Sequence, residues 1–188
     1  MAVLRVPPRV WRSRIIVLTL VAALAAGMAC AEEPLEAGVK AAYLAKLAPF
    51  VDWPPAAFAG PSDPFVICVV GKDPFGPLLD RSVADLGAAG RPMVVRRFPR
   101  ANRDPGCQIM YVGGSPGQSV RDALAIVKGA PVLTVTDGGD AAGVIEFAID
   151  KGRVRFRVDD ESAAENGLTI NSRLLGLAIS VRHRARKP

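Results

Sequence analysis

Apolar residues in this chain gather in short unbroken runs separated by glycine and proline, and the clearest run organises the rest. Phe65-Val66-Ile67-Cys68-Val69-Val70 has no polar interruption before Gly71, which is the pattern of a strand buried on both faces. Asp73 is placed to cap a following helix, Pro74 suits its first position, and Leu78, Leu79, Val83 and Leu86 recur at helical spacing. A second unit repeats the pattern. Gln108 to Val112 reads as a strand, Gly113-Gly114 as a turn, and Ser115-Pro116 as the start of a helix carrying Val120, Leu124 and Val127. A third buried strand, Val132 to Thr136, ends at Asp137-Gly138-Gly139, and Met93 to Phe98 suits an edge strand because it turns polar at its end.

Flanking these units, residues from about Glu36 to Val51 read as an amphipathic helix with Val39, Tyr43, Leu47 and Phe50 on one face and Lys40 off it. Trp53-Pro54-Pro55 ends it. The stretch from Val144 to Val158 alternates instead, and Lys151-Gly152 predicts a two-residue hairpin turn. Asp150 then faces Arg153, Ile149 faces Val154, Ala148 faces Arg155, Phe147 faces Phe156 and Glu146 faces Arg157, so every pair matches in character. A short helix near Asp159-Asp160, a strand at Leu168 to Ile170 and a helix capped by Asn171 or Ser172 complete the reading. The expected fold is α/β: one compact three-layer-like domain with a mostly parallel sheet, flanking helices and a C-terminal β-hairpin.

The first residues change the meaning of the composition. Arg5, Arg9, Arg12 and Arg14 precede an apolar run of about 15 to 17 residues, short for a membrane span, and small residues stand before Glu32-Glu33. Residues 1–31 therefore read as a secretory signal peptide and 32–188 as the domain, with a basic tail from about residue 182. Lipidation of Cys30 is the weaker alternative. Of 24 basic residues, removing the leader leaves 20 against 18 acids, and setting aside Arg182, Arg184, Arg186 and Lys187 leaves 16. The body is slightly acidic, so the basic composition does not point to nucleic acid.

Chemistry is sparse. His183 is the single histidine and stands in the basic tail with no carboxylate pair or cysteine near it in sequence, which argues against the usual triads, Cys-His pairs and zinc sites; no catalytic residue, metal site or cofactor is expected. Cys68 and Cys107 remain as an even pair in an exported chain, either disulfide-bonded between neighbouring strands or buried as thiols, and export favours the bond. In a parallel sheet the loops after the three strands would gather at one edge. Gly71, Asp73, Gly113, Ser115, Asp137 and Gly138 would then line a crevice for a small ligand.

Several segments together resemble the YfiR-like periplasmic proteins: Lys40-Ala41-Ala42-Tyr43-Leu44, Phe50-Val51-Asp52-Trp53-Pro54, Phe65 to Gly71, Asp73-Pro74-Phe75-Gly76, Gly106-Cys107, Gly152-Arg153-Val154-Arg155-Phe156 and Ser172-Arg173-Leu174-Leu175. The resemblance implies a periplasmic regulator, not an enzyme, that represses a membrane-bound diguanylate cyclase or another sensor protein. It also implies relief by an outer-membrane peptidoglycan-binding lipoprotein, a homodimeric state in some members, and a disulfide between Cys68 and Cys107. A second cysteine pair of the better-known member has no counterpart here. Partner surfaces favour aromatic residues and arginine. Two places offer that mix: Phe50 and Trp53 at the end of the first helix, and Arg153, Arg155 and Arg157, which alternation takes off the hairpin's core face.

Overall fold

A computed structural model describes residues 35–88, 90–103 and 106–184. The expected signal peptide, Cys30, and the last basic residues of the tail lie outside them. Helix α1 covers residues 35–46. After a short 3-10 turn at Ala48–Phe50 come β1 (Val51–Asp52), a second such turn at Pro55–Ala57, and β2 (Phe65–Gly71). Then follow α2 (Pro77–Val83), β3 (Gly87–Ala88), β4 (Arg91–Phe98), β5 (Ile109–Gly114), α3 (Val120–Val127) and β6 (Leu133–Thr136). The chain continues with β7 (Ile145–Asp150), β8 (Arg153–Asp159), α4 (Asp160–Glu165), β9 (Thr169–Ile170), α5 (Ser172–Leu177) and β10 (Ser180–Arg182).

Eight strands form one sheet in the order β10-β8-β7-β6-β5-β2-β4-β3, and β1 pairs separately with β9. The sheet is mixed, where the sequence led us to expect a mostly parallel one. Strands β7, β6, β5, β2 and β4 are mutually parallel, but β8 runs antiparallel to β7 and β3 antiparallel to β4. Two-residue and near-tight connections cause both reversals, since a hairpin cannot return a parallel strand. The hairpin β7-β8 has the register read from the sequence, from Asp150↔Arg153 to Glu146↔Arg157. Lys151 and Gly152 take φ of 50° and 70°, the left-handed pair that a tight hairpin turn needs.

Both sheet faces are covered. Phe65, Ile67, Val69, Ile109, Leu133, Val135, Phe147 and Phe156 pack with α1 and α2 on one face, and Val66, Cys68, Val70, Met110 and Val112 pack with α3 on the other. Alternation along β2 divides its residues between two cores, which is why it reads as a continuous apolar run. Segments α4, β1 and β9 close the end where the parallel strands begin. There Asn166 Nδ2 donates to Val132 O, and the Trp53 indole N–H donates to Gln108 O.

Element ends depart from expectation for local reasons. Helix α1 stops at residue 46, and its buried face is Lys40, Ala41, Leu44 and Ala45 while Val39 is exposed. Lysine is tolerated inside because its ammonium meets Asp137. Asp73 caps a turn rather than a helix: its Oδ1 accepts from the Phe75 and Gly76 amides, and α2 begins later with Pro77 at its first position. Likewise Ser119, not Ser115, caps α3 and accepts from the Asp122 amide. Asp159 and Asn171 cap α4 and α5.

The connection from β4 to β5 carries no helix among its described residues. It crosses the α3 side of the sheet, and the Cys68–Cys107 disulfide pins its end to β2 with a Cα–Cα distance of 5.8 Å. Where the β2–β4 and β5–β6 crossovers bury the helices α2 and α3, this one is held by a covalent bond.

Candidate functional site

The strand order reverses between β2 and β5, and open α/β sheets usually bind ligands beyond the carboxyl ends of the strands at such a point. Here the two backbones meet instead. The ladder skips Gly113 and pairs Gly71 with Gly114, and the Lys72 amide donates to Gly114 O at 2.8 Å. A Cβ on Gly71 would collide with the Gly114 carbonyl, and one on Gly113 with the Lys72 carbonyl. Phe75 then lies edge-on to Tyr111 at 4.7 Å, beneath this contact.

Polar groups around it are engaged with the protein. Arg97 on β4 reaches Asp73 at 2.7 Å and Asp80 at 2.7 Å, and also donates to Gly76 O, so one guanidinium ties β4 to the start of α2. Burial pulls the Asp73 carboxyl up, but the Arg97 hydrogen bond and the Phe75 and Gly76 amides outweigh it, leaving it below the ordinary value of 3.8. The Arg97 hydrogen bond likewise lowers Asp80. Lys40, with a side chain 6% exposed, meets Asp137 at 2.5 Å. Tyr111 is pushed up by burial first, then by the charges of Asp137 and Asp73.

The Asp73 and Asp80 carboxylates are stabilised more in the folded than in the unfolded chain, so their contribution is full above the unfolded value of 3.8 and is lost as pH falls through the lower folded values. Urea midpoints measured from neutral pH to about pH 3 should therefore fall less steeply below about pH 4 for Arg97→Met than for the parent. Parallel pH profiles would remove Arg97 from this role.

The six crevice residues of the sequence reading have varied surroundings. Gly71 and Gly113 sit in the backbone contact, Asp73 and Asp137 face their cations, and Ser115 bridges to Gln118. Gly138 follows β6 with φ 68° and nothing within 4 Å of an added Cβ. Two cavities lie elsewhere and none of the six lines either. One of about 230 Å³ lies between α3 and α4, and one of about 250 Å³ is lined by Phe58, Pro64, Val66, Arg96 and Gln108 among others.

The proposed docking residues fall into two groups. Phe50 and Trp53 are half-buried against the main core, Trp53 standing edge-on to Phe65 at 5.0 Å. Trp53→Ala should accordingly lower stability by about 3 kcal/mol, read as a shift in the urea midpoint. On the hairpin, Arg157 pairs with Glu146 at 3.2 Å, Arg155 donates to Leu177 O at 3.1 Å, and Arg153 is exposed. Arg155→Glu should shift the melting temperature by only a few degrees, since an exposed polar contact is worth little.

Two features escaped the sequence reading. Residues 180–182 form strand β10, which runs into the basic tail expected from about residue 182, with Arg182 paired to Asp159 and Glu161, and Arg184 forked onto Asp160. The acids Asp159-Asp160-Glu161 at the start of α4 were the available signal. The second is the concentration of five arginines in residues 91–103, on and after β4.

A family model described as YfiR/HmsC-like matches residues 37–179. The chain belongs to the YfiR/HmsC-like family. The match takes in β2, the disulfide, the hairpin and α5, that is, nearly the whole described body. No curated protein matches the chain. The family is known for regulation in cyclic di-GMP signalling and is regulatory rather than catalytic. Within this YfiR/HmsC-like body the disulfide fits an exported protein, and among the described residues no helix is long and apolar enough to cross a membrane.

Proposed function

We propose that this protein is a periplasmic regulator, without enzymatic activity of its own, that binds the extracytoplasmic sensor portion of a membrane-bound diguanylate cyclase and represses it. The observation that carries the reading is the YfiR/HmsC-like match across residues 37–179. Supporting it, the point where the sheet order reverses is closed by backbone packing, and the carboxylates nearby are held by Arg97 and Lys40. These features support a role exerted through the protein's surfaces. Export through the leader at residues 1–31 and release by a peptidoglycan-binding lipoprotein belong to the same reading.

In-cell photo-crosslinking from surface positions of the chain, followed by mass spectrometry of the adducts, tests the partner. The reading expects a membrane protein carrying a diguanylate cyclase domain. Adducts limited to soluble periplasmic proteins would contradict it.

A further inference from the structure

Strand β4 leaves an edge open. Its outer neighbour β3 pairs only with Arg91 and Pro92, and the Met93 amide donates to Leu86 O; beyond that no strand lies beside β4 among the described residues. Backbone groups alternate along a strand, so the N–H and C=O of Val95 and Arg97 point outward as those of Met93 do. An exposed ladder of this kind is a template for another extended chain.

The charges around the edge say which chain fits. Arg97 is matched by Asp73 and Asp80, whereas the exposed Arg96 on the opposite face makes no ion pair among the described residues. Exposed Arg100 and Arg103, likewise without an ion pair among them, continue the positive run past the strand's end. Two copies paired edge to edge would bring arginines opposite arginines, which is unfavourable across a ladder. An acidic strand meets the opposite situation. On its own face of the sheet Arg96 also lines the cavity of about 250 Å³ over β2 and the start of β5, together with Asp63, Phe58, Pro64, Val66 and Gln108.

We infer that the β4 edge is a docking site for an extended acidic segment of the partner protein, which adds as a strand along Val95 and Arg97 and places a carboxylate at Arg96. This deepens the regulatory reading above by naming a surface and a mode of binding, and it makes the edge, rather than the hairpin arginines, the main point of attachment.

The test uses the full mature chain and a labelled octapeptide of alternating Glu and Val, with alternating Lys and Val as its counterpart. No cyclase is involved, so failure here and failure of the regulatory reading are distinguishable. The Glu-Val peptide should bind saturably and slow amide exchange at Val95 and Arg97, with the Lys-Val peptide at least about tenfold weaker. Val95→Pro removes an outward donor at a position where an edge strand tolerates proline, and should weaken binding about tenfold. Arg96→Glu should reverse the preference between the two peptides. Equal affinity for both peptides, or protection away from β4, would overturn the proposal. So would protection of Val95 that rises with protein concentration alone, which would assign the edge to a second copy.

Discussion

Reducing the Cys68–Cys107 bond should lower the unfolding free energy by about 4 kcal/mol, the loop-entropy contribution of a crosslink closing about 40 residues. The sequence separation of 39 makes this a long loop, and the β4–β5 crossover at its far end has no helix among its described residues to hold it by packing. Loss of the bond frees the end of that crossover from a region where Val66, Val70 and Val112 are buried. Urea unfolding with and without dithiothreitol measures the effect, and the Cys68→Ala, Cys107→Ala double variant should no longer respond to the reductant. A change below about 1 kcal/mol would mean that packing alone fixes the crossover.

The second large effect lies at the contact between β2 and β5. Gly71→Ala should destabilise the protein by more than about 3 kcal/mol, because a left-handed backbone costs an ordinary residue about 1 to 2 kcal/mol and the new methyl must also displace a carbonyl. Gly71 has φ 78° and its Cβ would meet Gly114 O, whereas Gly138 has φ 68° with open space around it. Gly138→Ala therefore isolates the conformational part and should cost about 1 to 2 kcal/mol. Equal losses at the two positions would show that the close approach contributes nothing.

What the sequence made legible follows from how locally each feature is determined. Register in β7-β8 was readable because Lys151-Gly152 fixes the turn and because each cross-strand pair matches. Strand β2 was readable because burial on both faces removes every polar residue from Val66 to Val70. Lys40 was misplaced because its burial depends on Asp137, 97 residues away. Starts of α2 and α3 slipped because Asp73 and Ser115 can cap a turn as well as a helix, and only the tertiary course of the chain decides between them. Strand β10 carries little apolar signal, since it is held by pairing with β8 and by Arg182 and Arg184 on the acids of α4. At Gly71 and Gly113 the glycines let two backbones touch, a contact between β2 and β5 that only the tertiary structure brings about.

Repression of a diguanylate cyclase is the central claim, and cellular cyclic di-GMP reports on it most directly. Deleting the gene should raise the level, and returning the wild-type chain should restore it. An unchanged level after deletion would contradict the account.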